Sequence, residues 1–494
     1  MPLATRIADS RFRNTLLVIP LDLPRSHVAA SGRLSSRVKR DHPGGERAHV
    51  SEAARDALRR VRPRHRQSPA GWRYEGAATS NNDLSVIQEI ARQAERGKFD
   101  LLFVSDGLVM DPGDHPSFLC RFEPTTLISA LSASTRHIGL GATVSTSFGE
   151  PYHVARTFGS IDHITRGRAA WNVVTSSAGK AALNFSRESH MEHDLRYEVA
   201  QEFVDVVKGL WDCWEDGAIV ADKATGVFID PSKVRPLDHR GRFFQVKGPI
   251  NMARCPQGHP VIIQAGGSEA GLELAARTAD VVFSVVQELS AARRAYRDLK
   301  GRMAKYGRTR DQITVLPGVM PIIGSTEAEA RDKLSLLQSW LTPTNALTLV
   351  ASRIGYDVTG FPLDGPVPAP PPDASSRTFS HVLYETARRE NMTLRDLYNL
   401  TAAARGHWVL CGTPKRIADT LEEWFVEEAA DGFNVLPPYF PGALVDFVDL
   451  VVPELQARGL FRREYEGTTL RDHFGLPRVP APARPERHVG GAQP

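Results

Sequence analysis

The chain has 494 residues, of which 41% are hydrophobic and 24% are charged, a composition typical of a globular protein. This length allows one large α/β barrel with insertions or two to three domains. No apolar run approaches the roughly 18 residues of a membrane-spanning helix, and the formal net charge of +4 gives no indication of nucleic-acid binding.

The first 70 residues differ in composition from the rest of the chain. They hold 15 Arg and Lys residues against 6 Asp and Glu residues. The apolar run at 14–20, NTLLVIP, predicts a first strand, and it is too short for the core of a secretory signal. Residues 21–66 keep no amphipathic period, so we predict a disordered insertion or a misassigned reading frame. A transit peptide and a basic nucleic-acid arm are the alternatives.

From residue 83 onward, predicted strands and helices alternate along the chain. The apolar pattern predicts further strands at 99–104, 137–142, 169–174, 261–263, 281–283, 313–317 and 432–436. Helices are predicted at 84–97, 125–134, 154–164, 194–212, around 272–276, and at 291–306, 392–404 and 414–430. Eight alternations favour an α/β fold of the TIM-like (β/α)8 barrel type with insertions.

The predicted barrel defines three regions of the chain. An atypical basic segment, 1–70, precedes a barrel that spans residues 71–478. An insertion at about 330–405 separates the seventh and eighth strands and is expected to act as a lid, with a proline-rich loop at 360–376. Residues 479–494 are predicted to form a disordered tail.

The segment 260–285, PVIIQAGGSEAGLELAARTADVVFSV, reads as strand, glycine turn, helix and strand. Ser268 follows the glycine pair Gly266-Gly267 and is a good helix N-cap. Unpaired amides at a glycine turn and a helix N-terminus attract phosphate, so the segment is a candidate phosphate site. The alternative is a tight turn with a capped helix and no ligand.

Polar residues follow the predicted strands at the end of the barrel where barrel enzymes place their chemistry. They are Ser105-Asp106, Thr143 to Thr146, Asn172 to Thr175, Gln264 to Ser268 and Asn434. This set contains no nucleophile beside a base, so a hydrolase is not indicated. Amides and hydroxyls with a phosphate end suit an organic cofactor that carries the reactive chemistry.

Other patterns argue against metal, nicotinamide and disulfide sites. His190 and His193 share a helical face but have no third ligand at a sharp spacing, so no metal is predicted. GLGATV at 139–144 lacks the third glycine of a dinucleotide fingerprint. The four cysteines form no CxxC pair, which indicates a reducing cytoplasm and no zinc or disulfide framework: Cys120, Cys213, Cys255 and Cys411.

Long stretches of the chain carry a family resemblance. They include IGLGATVSTSFGEPYHVARTFGSIDHITRGRAAWNVVTS (138–176), HDLRYEVAQEFVDVVKGLW (193–211), residues 222–283, GTPKRIADTLEEWF (412–425) and residues 431–478. These stretches resemble the nitrilotriacetate, dibenzothiophene-sulfone and pristinamycin-type monooxygenases of the bacterial-luciferase-like flavin-dependent superfamily. The resemblance covers nearly all of residues 84–478 and is specific to this group.

The resemblance implies a TIM-like barrel that binds reduced FMN supplied by a separate NADH- or NADPH-dependent flavin reductase. The flavin reacts with O2, the co-substrate, to give a hydroperoxide that oxygenates a small organic substrate. Relatives often form homo-oligomers, which we also expect here, with no nucleic-acid or membrane partner. Two alternatives are a deazaflavin-dependent oxidoreductase of the same superfamily and a non-catalytic flavin-binding subunit.

The resemblance also assigns cofactor contacts. Carried over one residue at a time, they fall on Asp106 in FVSDG, Thr143 in GATVST, His193 and Tyr197 in HDLRY, and Ser268 in AGGSEAG. Ser145, Thr146 and Asn172 are weaker pocket-lining candidates, and no catalytic residue is assigned. Each of these residues also has a purely structural alternative. Asp106 could cap its loop, and the Thr143 hydroxyl could bond to the backbone. His193 and Tyr197 could be surface residues, and Ser268 could be only the helix N-cap.

The chain departs from the family near its N-terminus. The family's first strand is normally followed closely by a Gly-His-His segment and an Ala-Trp-Arg-His-Pro run, which border the edge of the substrate and the flavin. This chain has Ala70-Gly71-Trp72-Arg73-Tyr74-Glu75 and no paired histidines. The substrate is therefore not predicted.

Overall fold

Eight parallel strands close into a barrel in the computed structural model. The model describes residues 16–21, 71–80, 82–110, 119–340, 347–348, 350–351, 354, 356–370, 384–385, 387–401 and 407–481. The strands are β1 (Leu16–Leu21), β2 (Leu101–Val104), β3 (Gly139–Ser145), β4 (Ala169–Val174), β5 (Val261–Gln264), β6 (Val281–Ser284), β7 (Thr314–Ile323) and β8 (Gly432–Val435). Each pairs with the next in parallel, and β8 pairs with β1. The predicted (β/α)8 barrel is confirmed.

Helices surround the barrel and cover its outer face. They are α1 (Leu84–Arg96), α2 (Pro124–Leu131), α3 (Pro151–Thr165), α4 (His193–Trp211), α5 (Glu269–Thr278), α6 (Leu289–Arg302), α7 (Glu327–Ser339) and α8 (Pro414–Val426). Strands covered on both faces are mainly apolar, and β2, β5 and β8 are buried throughout. This is why continuous apolar runs, rather than alternating ones, predicted the strands.

Shorter elements connect or extend this frame. Helices occur at Leu394–Thr401, Gly442–Asp446, Val452–Ala457 and Leu470–His473, with a π-helical turn at Phe447–Val451. Single 3-10 segments occur at Gly71–Arg73, Gly179–Phe185, Pro231–Lys233, Met303–Tyr306 and Arg310–Gln312. A small hairpin pairs His239–Arg240 with Gln245–Val246.

The seventh strand is longer than predicted and has an extra neighbour. Instead of ending at Pro317, β7 continues to Ile323, and its second half pairs with an additional strand at Trp408–Gly412. Pro317, Gly318 and Pro321 interrupt the strand pattern, because proline cannot donate a hydrogen bond to a neighbouring strand. The helix α7 was not predicted either.

The described part of the insertion forms a small apolar cluster of its own. Its buried members include Leu347, Val350, Ile354, Val358, Leu363, Leu394, Leu397 and Tyr398. Residues 360–370 form neither helix nor strand, as predicted for the proline-rich loop, whose remainder lies outside the described residues. The predicted helix 392–404 is present at Leu394–Thr401, and the lid role stays a prediction. Within the described chain, no helix is long and apolar enough to cross a membrane.

A segment after β8, residues 460–478, closes the barrel end where the strands begin, and we call it the plug. Leu470, Phe474 and Leu476 join the interior cluster of the barrel. A side chain on Gly139 would collide with Leu470, so the absence of a Cβ lets this plug approach β3. Two buried arginines, Arg462 and Arg471, pair with aspartates and fix the plug to the strands.

The plug contains a histidine whose substitution should stabilise the protein. Both ring nitrogens of His473 are buried without a hydrogen-bond partner among the described residues. Burial, together with the charge of Arg462, lowers the pKa of His473 to about 3. His473→Phe replaces the imidazole by a slightly larger aromatic ring and removes two unsatisfied polar atoms, so it should raise the free energy of unfolding by about 1–3 kcal/mol at pH 7.

The stabilisation by His473→Phe should grow in acid. The histidine takes up a proton near its ordinary pKa when unfolded but resists protonation when folded, so it favours unfolding as pH falls from about 6.5 towards 3. At pH 4.5 the advantage of the variant should exceed its pH 7 value by about 2–3 kcal/mol, because each pKa unit is worth about 1.4 kcal/mol. Urea unfolding of both proteins at the two pH values measures this, and a pH-independent difference would contradict it.

Candidate cofactor site at the carboxyl ends of the strands

A cavity of about 280 Å³ lies at the end of the barrel opposite the plug. Its lining follows β2, β4 and β5 and includes part of α4: Asp106 to Leu108, Val173 to Ala178, Ala181, Tyr197 and Gln264 to Gly266. The mouth of a barrel, where the strands end, is the position at which barrel enzymes bind their ligands. Two of the five predicted contacts, Asp106 and Tyr197, line this cavity.

Tyr197 packs closely against the glycine turn between β5 and α5. A Cβ on Gly266 would lie 3.2 Å from the Tyr197 Oη, and a Cβ on Gly271 would lie 3.1 Å from the same atom. Gln264, buried at the end of β5, accepts a hydrogen bond from the Gly266 amide and fixes the start of the turn. Two glycines therefore allow a phenol on α4 to reach a helix N-terminus.

Ser268 caps α5, as the sequence predicts. Its Oγ accepts a hydrogen bond from the Gly271 amide at 3.2 Å. A Cβ on the neighbouring Gly267 would meet no atom within 4 Å, so the turn is open on that side. A positive helix end, an open glycine and the nearby Tyr197 hydroxyl fit the phosphate end of a mononucleotide.

Asp106 is held by its own loop and by an arginine. The Gly107 amide donates to Asp106 Oδ1 at 2.8 Å, which is the loop cap considered as the structural alternative. Arg121 Nε lies 3.7 Å from the same oxygen. Arg121 also donates to the Ser105 carbonyl at 3.3 Å. Nothing in the sequence links this arginine, 15 residues away, to the site, and it was missed.

Thr143 and Asn172 form a buried polar pair between β3 and β4. Thr143 is 3% exposed, and its hydroxyl donates to the Val104 carbonyl at 3.0 Å and accepts from Asn172 Nδ2 at 2.9 Å. The backbone-bonded alternative for Thr143 is thus present. Asn172 Oδ1 is buried and lacks a partner among the described residues. A buried unpaired acceptor costs about 1–3 kcal/mol, so a ligand N–H at this position would be favourable.

The remaining candidates lie around the cavity rather than in it. His193, the first residue of α4, is exposed, with Nδ1 2.7 Å from Asp194 Oδ1 and its ring centroid 5.0 Å from that of Tyr197. Ser145 accepts from Ser176 at 2.8 Å, and Thr146 donates to the Val174 carbonyl at 3.2 Å. Over the described ranges, no group of three or more His, Cys, Asp or Glu side chains is placed to hold a metal ion.

Gly266→Ala tests the tight approach at the turn. The new methyl would lie 2.9 Å from Gln264 Oε1 and 3.0 Å from Gly271 Cα, so the turn must shift. Overpacking of this kind costs about 1–3 kcal/mol of stability. Gly267→Ala is the matched control, because its methyl enters open space and should change stability by less than about 0.5 kcal/mol. Chemical unfolding compares the two, and equal stabilities would show that the turn is loosely packed.

A closed parallel barrel with its polar residues gathered at the carboxyl ends of the strands defines a (β/α)8-barrel enzyme. The family model described as "Luciferase-like monooxygenase" matches residues 63–432 of the chain. The chain belongs to this family, which confirms the predicted class of flavin-dependent monooxygenase. The matched range begins after β1, so the first strand and most of the atypical segment lie outside it.

Individual relatives agree with this assignment. The chain is 49% identical to N-acetyl-S-(2-succino)cysteine monooxygenase of Bacillus subtilis (strain 168), over 82% of this chain and 93% of the relative. It is 48% identical to nitrilotriacetate monooxygenase component A of Aminobacter aminovorans, over 85% and 94%. Among solved structures, riboflavin lyase with modified FMN and riboflavin is 30% identical, with a TM-score of 0.73 over 84% of this chain and 94% of that one.

Proposed function

We propose that this protein is the oxygenating component of a two-component monooxygenase that uses reduced FMN and O2 to oxygenate a small organic substrate. A separate NADH- or NADPH-dependent flavin reductase would supply the reduced FMN. The observation that carries the proposal is the N-terminus of α5, where the Tyr197 hydroxyl lies 3.1–3.2 Å from the Cβ positions of Gly266 and Gly271 and the side of Gly267 is open. The name of the Aminobacter relative, a component A, supports a second component.

Different residues of the barrel mouth would contact different parts of FMN. Ser268 and the first amides of α5 would bind the phosphate together with Tyr197, and His193 would close the exposed side. Asp106 and the Thr143–Asn172 pair would face the rest of the cofactor. Reduced flavin, when bound, supplies the electrons that activate O2.

The chain itself supplies binding, orientation and exclusion of water. Among the described lining residues, Asp106 is the only carboxylate, and no histidine or lysine lines the cavity. A mouth with so few acids and bases offers little proton transfer but can keep a reactive centre away from water. The insertion at about 330–405 would act as the lid, and a cytoplasmic location and a homo-oligomer remain predictions.

The test uses the full chain, FMN, NADH and a flavin reductase. Reduced FMN, added without oxygen, should bind with a dissociation constant on the order of tens of micromolar or lower. Admission of ¹⁸O2 in a substrate screen should then place one labelled oxygen atom in a product. Absence of reduced-FMN binding would contradict the proposal. Reduction of a substrate by a deazaflavin cofactor would instead favour a deazaflavin-dependent oxidoreductase. Flavin binding with no labelled product from any substrate would favour the non-catalytic subunit.

A further inference from the structure

A second cavity, of about 380 Å³, lies at the plug end of the barrel. Its walls come from residues that precede β5, β6 and β7, from the end of α4 and from the plug, so it is remote from the cofactor cavity in the fold. Six charged residues line it: Lys208, Arg277, Arg308, Arg471, Arg478 and Asp280. The wall of this cavity therefore carries five cations and one carboxylate, an excess of positive charge.

Three of the arginines are neutralised by aspartates. The ion pairs are Arg277 with Asp205 at 2.9 Å, Arg471 with Asp280 at 2.8 Å, and Arg478 with Asp216 at 2.7 Å. Arg308 has no carboxylate among these partners and donates instead to carbonyls, including those of Ala276 at 2.9 Å and Gln312 at 2.8 Å. Two cations of the wall, Arg308 and Lys208, therefore make no ion pair among the described residues.

Two donors in this wall are unused. The Lys208 ammonium makes no hydrogen bond or ion pair within the described part of the chain, and Arg277 Nη1 is buried without a partner there. Burial lowers the pKa of Lys208, and the charges of Arg308 and Arg471 lower it further, while the carboxylates of Asp280 and Asp205 partly oppose this shift. Buried cationic donors are costly unless an anion pairs with them. A volume of about 380 Å³ lies in the range of small-ligand sites.

We propose that this cavity binds a small dianion with phosphate or carboxylate oxygens, which accepts hydrogen bonds from the Lys208 ammonium and from Arg277 Nη1. Such an anion neutralises the charges of Arg308 and Lys208 and satisfies both donors at once. The site is separate from the proposed FMN site, because its lining lies at the amino ends of the strands. It does not depend on the proposed monooxygenase reaction.

The test measures binding of inorganic phosphate, and of succinate as the carboxylate probe, to the full chain by calorimetry. Sodium chloride at equal ionic strength is the reference for general salt effects. Phosphate or succinate should bind the wild type, and Lys208→Met should weaken the binding at least tenfold. Lys223→Met, which removes an exposed lysine, should leave the affinity within twofold. Equal affinity in Lys208→Met and wild type, or no binding beyond chloride, would overturn the proposal.

Phosphate could also occupy the N-terminus of α5, so every measurement is repeated in a Ser268→Asp background. In that background, Lys208→Met should still weaken the binding of phosphate or succinate. Binding that disappears with Ser268→Asp and survives Lys208→Met would locate the anion at the cofactor mouth and refute the second site. If Lys208→Met folds poorly, Arg277→Gln provides the second variant and should also weaken binding at least tenfold. Without anion, Lys208→Met should melt no lower than wild type, since it removes a half-buried charge that makes no ion pair among the described residues.

Discussion

Ser268→Asp is expected to weaken the binding of reduced FMN by about 100-fold. Aspartate is as good an N-cap as serine, so the α5 helix should keep its start. Its carboxylate would lie beside the proposed position of the phosphate. Two like charges about 5 Å apart at an effective dielectric constant of about 20 repel by about 3 kcal/mol, and each 1.4 kcal/mol is a factor of ten in affinity.

Two control variants separate charge from shape and from location. Ser268→Asn is nearly isosteric with the aspartate and neutral, so it should lose less than tenfold in affinity. Thr309→Asp makes the same charge change at the N-cap of the Arg310–Gln312 turn, which precedes β7 at the plug end, and should have no effect on FMN. Anaerobic titration of reduced FMN by fluorescence provides the constants. If folded Ser268→Asp binds reduced FMN with unchanged affinity, the phosphate does not bind at the N-terminus of α5.

Local signals in the sequence were sufficient to predict the secondary structure around Ser268. The apolar run at 261–263, the glycine pair and the N-cap serine predict a strand, a turn and a helix, and the structure has Val261–Gln264 and Glu269–Thr278 there. Each signal acts over a few residues: strand burial, backbone freedom at glycine, and the first free amides of a helix. The barrel follows because eight such units alternate.

Contacts between distant residues could not be predicted in the same way. Gly266 lies against Tyr197 on α4 because the barrel brings the ends of the neighbouring strands β4 and β5 together. Arg121 lies beside Asp106 because the connection between β2 and α2 folds back on itself. No spacing along the chain encodes either contact. The continuation of β7 through Pro321 depends on a partner strand that follows more than 80 residues later. Tertiary pairing outweighs local strand propensity at such positions.

Arg462→Met is expected to destabilise the protein by about 3–5 kcal/mol, the largest change in stability that we predict. Arg462 is 6% exposed and pairs with Asp100, which is fully buried just before β2. Its Nη2 also donates to the His473 carbonyl at 2.8 Å, so one guanidinium ties the plug to the barrel. Removal of the cation leaves a buried carboxylate without its counter-charge, which costs more than the ion pair contributes. Urea unfolding measures the loss.

The neighbouring residue provides a matched control for this loss. Arg463 is exposed, and within the described chain its guanidinium donates a hydrogen bond of 3.3 Å to the Gln456 carbonyl, so Arg463→Met should change stability by less than about 0.5 kcal/mol. Asp100→Asn combined with Arg462→Met should recover part of the loss, because it removes the uncompensated charge. A loss below about 1 kcal/mol in Arg462→Met would mean that water reaches Asp100 and that the plug opens readily. Folded Arg462→Met should still bind FMN normally, since the plug and the mouth lie at opposite ends of the strands.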